Sequence, residues 1–329
     1  MAIDPLHTMA EAIDKRISSP KLRDVLYRYA TYNGSNPFRA PATLNCIAWV
    51  ELGLGGYGVR GGMYELVRAM ERIARRLGVE ITYGAPVRRI DTAGGAVEAV
   101  VTDQKRHRCE AVVVNADVAH LVDELLGEAS SAKIAAPAEP SMSGWTAVAR
   151  AERRPEEARA PHTVYFPERY GEEFVDIFER RRPPEEPTVY LCAQEKAHDR
   201  TGWEREEPLF LMVNAPCEPA EMPRAERAWS ELRNRALGRL YEAGLIEKSD
   251  AIVWERTPTE LAERFPGSRG SIYGAASNSK TAAFKRPPNR VEGVEGLYLA
   301  SGSAHPGGGV PLCAQSGRLA AKAVASDLA

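Results

Sequence analysis

A strand, a glycine-rich turn and a helix follow one another over residues 296–328. The apolar residues Leu297–Ala300 predict the strand, and Gly307–Gly309 then leave a stretch without Cβ atoms, so that a ligand can lie directly against the backbone. Pro311 suits the first turn of a helix that begins near Val310. The free N–H groups at the start of that helix favour an anionic or electron-rich group. The segment therefore predicts a nucleotide or flavin site, and a plain connection between strand and helix is the alternative.

Length and composition restrict the class of protein. The 329 residues are enough for one to three domains with a large core. A net charge of −2 and the lack of a basic stripe argue against a nucleic-acid partner. Residues 1–16 carry acidic side chains and no apolar core, so they do not resemble a secretory signal, and we expect a cytoplasmic protein. The five cysteines and six histidines show no ligand spacing, so no metal site is expected.

Periodicity predicts one strong helix between Met63 and Leu77, where seven apolar residues recur on one face. After it the period changes to that of strands, and Gly94-Gly95 marks a hairpin. Asp117 is placed either to cap the next helix, which we favour, or to reach a ligand at the end of a buried strand. The strands predicted in this part are Val79–Tyr83, Pro86–Asp91, Ala96–Thr102 and Cys109–Asn115.

Residues 143–278 have a different composition, with strand candidates separated by proline-rich and charged loops. A helix is predicted over Ala225–Ala243, and Thr257–Glu260 forms a capping box with a proline at the first helical position. The strand candidates are Trp145–Ala151, His162–Phe166, Thr188–Ala193 and Leu209–Asn214. These patterns predict a mixed α/β protein, but by themselves they are compatible with many α/β folds.

Five motifs, taken together, carry a resemblance to a known family. They are RGGMY (residues 60–64), GAPVRRI (84–90), VVVNAD (112–117), SRGSIYG (268–274) and SAHPGGGVP followed by SGRLAA (303–321). In their order and spacing they are similar to the bacterial phytoene desaturase family of carotenoid oxidoreductases, within the FAD-dependent amine-oxidase-like superfamily. The resemblance extends over roughly residues 20 to 329.

The resemblance implies an incomplete two-dinucleotide-binding, Rossmann-like FAD domain and a mixed-sheet substrate domain. We expect residues 1–60 to be a helical segment of the substrate domain, 61–142 and 279–329 to be parts of the FAD domain, and 143–278 to be the main substrate domain. The family's first strand, G-x-G-x-x-G turn and helix do not occur in this sequence. A truncated or split protein is therefore an alternative, with an N-terminal partner fragment that carries this turn. A noncatalytic isoprenoid-binding protein is another.

The resemblance also implies FAD as the cofactor and a set of residues that bind it. The backbone of Val87 would hold the adenine, with an ordinary strand valine as the alternative. Arg60, Gly61 and Gly62 would approach the flavin or a substrate tunnel, unless they only form a flexible start of a helix. His305 would lie beside the flavin ring, or would simply pack in the turn. The other residues expected at the flavin are Gly302, Pro306, Gly307, Gly308, Gly309 and Val310.

The activity implied is that of an FAD-dependent oxidoreductase that dehydrogenates a long isoprenoid by hydride transfer to the flavin. The substrate would be an apolar polyene, and no catalytic side chain is assigned. Glu172–Arg182 places Phe174, Ile177 and Phe178 on one face and ends in three arginines. That helix could contact a membrane surface peripherally, although a solvated helix is the reading that we favour.

Overall fold

The structure, a computed structural model, describes residues 4, 6–127, 130–134, 139–152, 160–199, 205–279 and 282–329. The chain divides into two compact units. Unit 1 consists of Met1–Ile47, Tyr83–Met142 and Leu261–Ala329, and unit 2 of Ala48–Thr82 and Ser143–Glu260.

Helices and strands are mixed throughout the described residues, as the sequence predicts. The helices are α1 (Met9–Asp14), α2 (Pro20–Tyr27), α3 (Asn45–Leu54), α4 (Tyr64–Arg76), α5 (Val118–His120, continued by a π-helical turn over Leu121–Leu125), α6 (Tyr170–Phe178), α7 (Gln194–His198), α8 (Ala225–Glu242), α9 (Pro258–Arg264) and α10 (Val310–Asp327). The strands are β1 (Val87–Ala93), β2 (Ala96–Thr102), β3 (Arg106–Arg108), β4 (Val112–Val114), β5 (Ser143–Glu152), β6 (His162–Tyr165), β7 (Val189–Ala193), β8 (Glu206–Ala215), β9 (Ala251–Arg256) and β10 (Leu297–Leu299).

Unit 1 contains an antiparallel sheet of β1, β2 and β3, and a parallel pair formed by β4 and β10. Leu297 lies opposite Val112 and Leu299 opposite Val114, so the carboxyl ends of the two strands are neighbours. In open α/β sheets this end of the strands is where ligands bind. The segment after β10, in which the sequence predicts a site, begins at this end of the strands. The core beneath it is a cluster of buried apolar residues that includes Ile90, Val97, Val114, Leu121, Leu297 and Leu299.

Unit 2 is built on a five-stranded antiparallel sheet with the strand order β6-β7-β8-β5-β9. Helix α8 covers this sheet with one apolar face, because Trp229, Leu232, Ala236 and Leu240 recur at helical spacing and are fully or almost fully buried. They pack against buried sheet residues that include Trp145, Leu191 and Leu211. The predicted helix and the predicted strands of this region are confirmed.

The predicted helix starts are confirmed where a local capping signal exists. Ser19 caps α2 with Pro20 in the first position, and Asp117 accepts a hydrogen bond from the Ala119 N–H at 2.9 Å. Thr257 and Glu260 bond reciprocally at the start of α9, with distances of 2.7 and 3.3 Å. Asp117 is therefore a capping residue, as favoured from the sequence.

One strand prediction is wrong and another is too long. Val79–Tyr83 does not form a strand, and of Cys109–Asn115 only Val112–Val114 pairs. Val113 is 47% exposed, so β4 is not buried on both faces as a covered parallel strand would be. The helix predicted over Met63–Leu77 is present as α4, but none of its residues is buried.

The apolar face of the segment Glu172–Arg182 is buried inside unit 2. Phe174 is 0% and Ile177 2% exposed, and both lie in α6. These side chains are not available to a membrane surface, which favours the reading as a helix of the domain. Among the described residues, no helix is long and apolar enough to cross a bilayer.

The boundaries of the two units differ from the domain boundaries expected from the sequence. Residues 1–47 group with 83–142 and 261–329, not with 143–260. Hydrogen bonds between distant segments explain this grouping. The Asn36 N–H donates to Asn278 Oδ1 at 2.8 Å, and the Ser277 N–H donates to Ser35 Oγ at 2.8 Å. The assignment of one unit to FAD and the other to substrate stays a prediction.

Candidate functional site

The segment Ser301–Gly309, here called the glycine turn, links β10 to α10 in unit 1. It folds back on itself at two of its glycines. A Cβ atom on Gly302 would lie 3.3 Å from the Gly308 Cα and 3.6 Å from the Cys313 Sγ. The turn therefore uses the absence of side chains for packing as well as for access.

A second segment, Ser271–Ala275 or the Tyr273 loop, packs backbone to backbone against the glycine turn. A Cβ atom on Gly308 would lie 2.8 Å from the Tyr273 Cα, and one on Gly274 would lie 2.8 Å from the Ser303 Cα. Gly274 also has a φ of +70°, which disfavours any other residue there. At Gly308 the missing Cβ thus makes room for Tyr273, whereas a role of the Gly308 backbone toward the flavin stays a prediction.

Ser141 fixes the Tyr273 loop from its other side. Its N–H donates to the Gly274 carbonyl at 2.7 Å, and its Oγ accepts from the Tyr273 N–H at 3.0 Å. Ser141 is fully buried, and burial also raises the pKa of Tyr273, partly opposed by Arg28. The loop is thus a fixed surface against which the glycine turn rests.

Arg286 joins the two segments. The guanidinium donates from Nη1 to the Gly302 carbonyl at 2.7 Å and to the Tyr273 carbonyl at 3.2 Å, and from Nη2 to the Ala275 carbonyl at 2.7 Å. Its Nε lies 3.2 Å from the position that a Cβ on Gly307 would occupy. The residue is only 7% exposed, and no carboxylate in the described part of the chain lies within ion-pair distance. Burial lowers the pKa of this guanidinium, partly opposed by Cys313.

Asn289 holds the same turn at His305. Its Nδ2 donates to the Leu299 and His305 carbonyls, both at 2.9 Å, and Ser316 Oγ donates to the His305 carbonyl at 2.8 Å. The His305 N–H donates to the Pro287 carbonyl at 2.9 Å. The backbone of His305 is therefore fixed while the residue is exposed, and its position beside the flavin stays a prediction. The His305–Pro306 peptide bond is cis.

Among the residues predicted to bind FAD, those from Gly302 to Val310 lie together in the glycine turn and at the start of α10. Val87 lies in the same unit at the start of β1, 38% exposed and paired with Thr102. Its role at the adenine stays a prediction.

Arg60, Gly61 and Gly62 belong to unit 2. The Arg60 Nε lies 3.1 Å from a carboxylate oxygen of Asp199, with both side chains largely exposed. The Gly61 N–H donates to the His198 carbonyl at 2.8 Å. Both glycines have positive φ values, +84° and +103°, which explains the residue type at these positions without a ligand. Their approach to a flavin stays a prediction.

The start of α10 fits the flavin expected there. No side chain caps this 18-residue helix, and Pro311 lacks an N–H, so its first-turn donors are not used by a cap. Gly309 has a φ of +97° and no heavy atom within 4 Å of a Cβ position, while Val310 is 54% and Leu312 38% exposed. Free donors, an open glycine and a positive dipole end together suit an electron-rich or anionic group.

A small cleft of ≈ 40 Å³ borders the glycine turn in unit 1. Ser303, Gly274 and Arg286 contribute to its wall, together with Asp117 at the carboxyl end of β4. The site thus combines a backbone cradle with an adjoining cleft. In the described residues, no group of three His, Cys, Asp or Glu side chains is placed to hold a metal ion.

The sequence reasoning missed Arg286 and Asn289. Arg286 is one of 43 lysines and arginines, and the run Lys285-Arg286-Pro287 has no spacing that marks it. Tyr273 and Gly274 fall in the motif SRGSIYG, which pointed to the segment but not to its contact with the glycine turn. The buried surroundings of these residues become visible only in the fold.

Comparison with known proteins places the chain in a flavin-containing family. The family model described as "Flavin containing amine oxidoreductase" matches residues 9–325. A hydroxyneurosporene desaturase from Rubrivivax gelatinosus is 36% identical over 334 residues, covering 100% of this chain and 63% of that protein. A 4,4'-diapolycopene oxygenase from Methylomonas sp. is 32% identical, covering 100% and 67% respectively. This chain therefore spans only about two thirds of the length of these relatives.

A solved structure shares the fold. An oxidoreductase from Methanosarcina mazei superposes with a TM-score of 0.63 over 98% of this chain and 68% of its own, at 14% identity. At that identity the likeness concerns the fold alone. It agrees with the mixed architecture predicted from the sequence.

Proposed function

Since this chain belongs to the flavin containing amine oxidoreductase family, we propose that it acts as an FAD-dependent oxidoreductase that dehydrogenates a long isoprenoid polyene. The family match covers residues 9–325, and together with the carotenoid-related relatives it confirms the resemblance drawn from the five motifs, and with it FAD as the cofactor. The activity, the substrate and the residues that bind FAD are the proposal.

The observation that carries the proposal is the open start of α10 behind a rigid glycine turn. Gly309 leaves space at the helix end, and the turn before it is fixed by the Tyr273 loop and by Asn289. Such an arrangement presents N–H groups to a ligand without any reorganisation, which favours binding of a flavin ring or phosphate group.

The relatives support a carotenoid-type substrate. Two of them are named for hydroxyneurosporene and for diapolycopene, and both match the whole length of this chain. We infer an apolar polyene of the same chemical class for this protein. Because one relative is named a desaturase and the other an oxygenase, the reaction type is the point that an assay has to decide.

When bound, FAD would supply the oxidising chemistry by taking up the two hydrogens that the substrate loses, one as a hydride and one as a proton. The backbone of Gly309 and Val310 would contact it through N–H groups, and Val87 would contact the adenine through its backbone. His305 would lie beside the ring, and Arg60, Gly61 and Gly62 stay candidates for a contact with the flavin. No side chain is assigned as acid or base, so the task of the protein is to bind, orient and exclude water.

The test is an anaerobic reaction of the purified protein with FAD and an acyclic carotenoid in detergent micelles. We expect the flavin absorption to bleach while the polyene spectrum shifts to longer wavelength, because each added double bond extends the conjugation. Identical mixtures without protein are the control. If an oxygen-containing product forms, and only after air is admitted, the reaction is an oxygenation and not a dehydrogenation. Unchanged spectra of both the flavin and the polyene would refute the proposal.

A further inference from the structure

Arg286 lies at the junction of two main-chain segments in unit 1, the Tyr273 loop and the glycine turn. Its guanidinium reaches the carbonyls of Tyr273 and Ala275 in the Tyr273 loop and that of Gly302 in the glycine turn. The Arg286 Nε also lies 3.2 Å from the position that a Cβ atom on Gly307 would occupy. It therefore touches the glycine turn at both ends of its tightest part.

We propose that Arg286 is a positioning residue, which holds the glycine turn in the conformation that receives the flavin. The inference rests on the proposed function, because it concerns how the same turn binds FAD. Arg286 would act through the backbone of Gly302 and Gly307 and not by touching the cofactor.

The geometry explains why arginine occupies this position. A planar guanidinium offers five N–H donors in a fixed fork, so it can bond carbonyls that point in different directions and keep their separation constant. The acceptors are carbonyls at 2.7, 2.7 and 3.2 Å. A lysine would keep the charge, but its compact ammonium group cannot span the same three acceptors.

Arg286 is buried, so its role differs from that of an arginine that only keeps the surface soluble. Burying a charge without a carboxylate partner is unfavourable unless hydrogen bonds satisfy it, and here the bonds are to main-chain carbonyls of two loops. Arg290, only four residues away, differs in every one of these respects. It is exposed and forms an ordinary bidentate ion pair with Asp327.

The contrast between these two arginines gives a matched experiment. Arg286→Lys and Arg290→Lys each keep the charge and remove the fork. We measure the dissociation constant for FAD by quenching of flavin fluorescence, and the visible circular dichroism of the bound flavin. We expect Arg286→Lys to weaken binding roughly tenfold, as for the loss of about one charge-assisted hydrogen bond, and to change the dichroism, while Arg290→Lys stays close to wild type.

A second variant separates positioning from general stability. In Arg286→Ala, millimolar guanidinium ion should enter the vacated position and restore FAD binding, while it should not change binding in the wild type. Wild-type affinity and dichroism in Arg286→Lys would overturn the inference. So would a lower melting temperature in Arg286→Lys with an unaltered spectrum of bound flavin, because that result describes a purely structural residue.

The inference can also be judged if the wild-type protein fails to bind FAD, which would refute the proposed function. In that case we compare amide hydrogen exchange of residues 301–309 in the protein without ligand. Faster exchange in Arg286→Lys than in Arg290→Lys would support positioning of the turn by Arg286. Equal exchange in both variants would overturn it.

Discussion

Replacing Gly308 by alanine tests the packing of the glycine turn most sharply. The new Cβ would lie 2.8 Å from the Tyr273 Cα, 2.9 Å from its Cβ and 3.0 Å from its Cδ1, whereas ordinary contacts begin at 3.4 Å. Because two of these atoms lie on or next to a backbone held by Ser141, the turn or the loop must move by about 0.6 Å (3.4 less 2.8 Å). Overpacking of this kind costs about 1–3 kcal/mol.

The cost is measurable as a change in thermal stability. For a unit of this size, about 1–3 kcal/mol corresponds to a melting temperature lower by about 2–12 °C, which differential scanning fluorimetry resolves. Gly317 provides the control, since it lies inside α10 and nothing is within 4 Å of its Cβ position. Gly317→Ala should leave stability unchanged or raise it by up to about 1 kcal/mol. Equal melting temperatures for Gly308→Ala and the wild type would refute the described contact between the turn and the Tyr273 loop.

Three further changes probe other parts of the account. Asn289→Ala removes the side-chain N–H donor of the Leu299 and His305 carbonyls, and it should lower the free energy of unfolding by about 1–3 kcal/mol. A change near zero in the free energy of unfolding, measured by urea denaturation, would contradict this. The pKa of Asp327 is lowered by hydrogen bonds from Arg290 and Tyr298, so its stabilisation is present above the unfolded pKa and is lost as the pH falls through the lower folded pKa. Asp327→Asn should therefore lower the melting temperature at neutral pH, and this loss should shrink as the pH falls below 3.8, the ordinary pKa of an aspartate. A difference in melting temperature between variant and wild type that stays constant down to acid pH would argue against this prediction. Leu211→Ala should cost about 2–5 kcal/mol because Leu211 is fully buried in unit 2, whereas Val253→Ala, 54% exposed, should stay within about 0.5 kcal/mol; similar losses for both would contradict the assigned core.

The features that the sequence predicted correctly depend on short-range signals. Ser19, Asp117 and Thr257 cap helices through hydrogen bonds to residues two or three positions away, so the pattern of a few residues is sufficient. The apolar face of α8 is equally local, since residues three and four apart share one side of a helix.

The failures concern long-range partners. Val79–Tyr83 has the composition of a strand, but a strand also needs a neighbour to bond, and its own sequence does not specify one. Arg286 shows the same limit at the site, because its acceptors are backbone carbonyls, which every residue carries. The glycine turn was found from its residue types, whereas the loop and the arginine that fix it became evident only from the fold.

The measurement that tests the central claim most directly is amide hydrogen exchange of the purified protein with and without FAD. We predict that FAD slows exchange in the peptide from Ser301 to Cys313, which contains the glycine turn and the start of α10. Exchange around Leu232 in helix α8 of unit 2 should not change, and it serves as the internal reference. Saturating FAD that leaves residues 301–313 unprotected, or protects another segment instead, would contradict the claim that this turn is the flavin site.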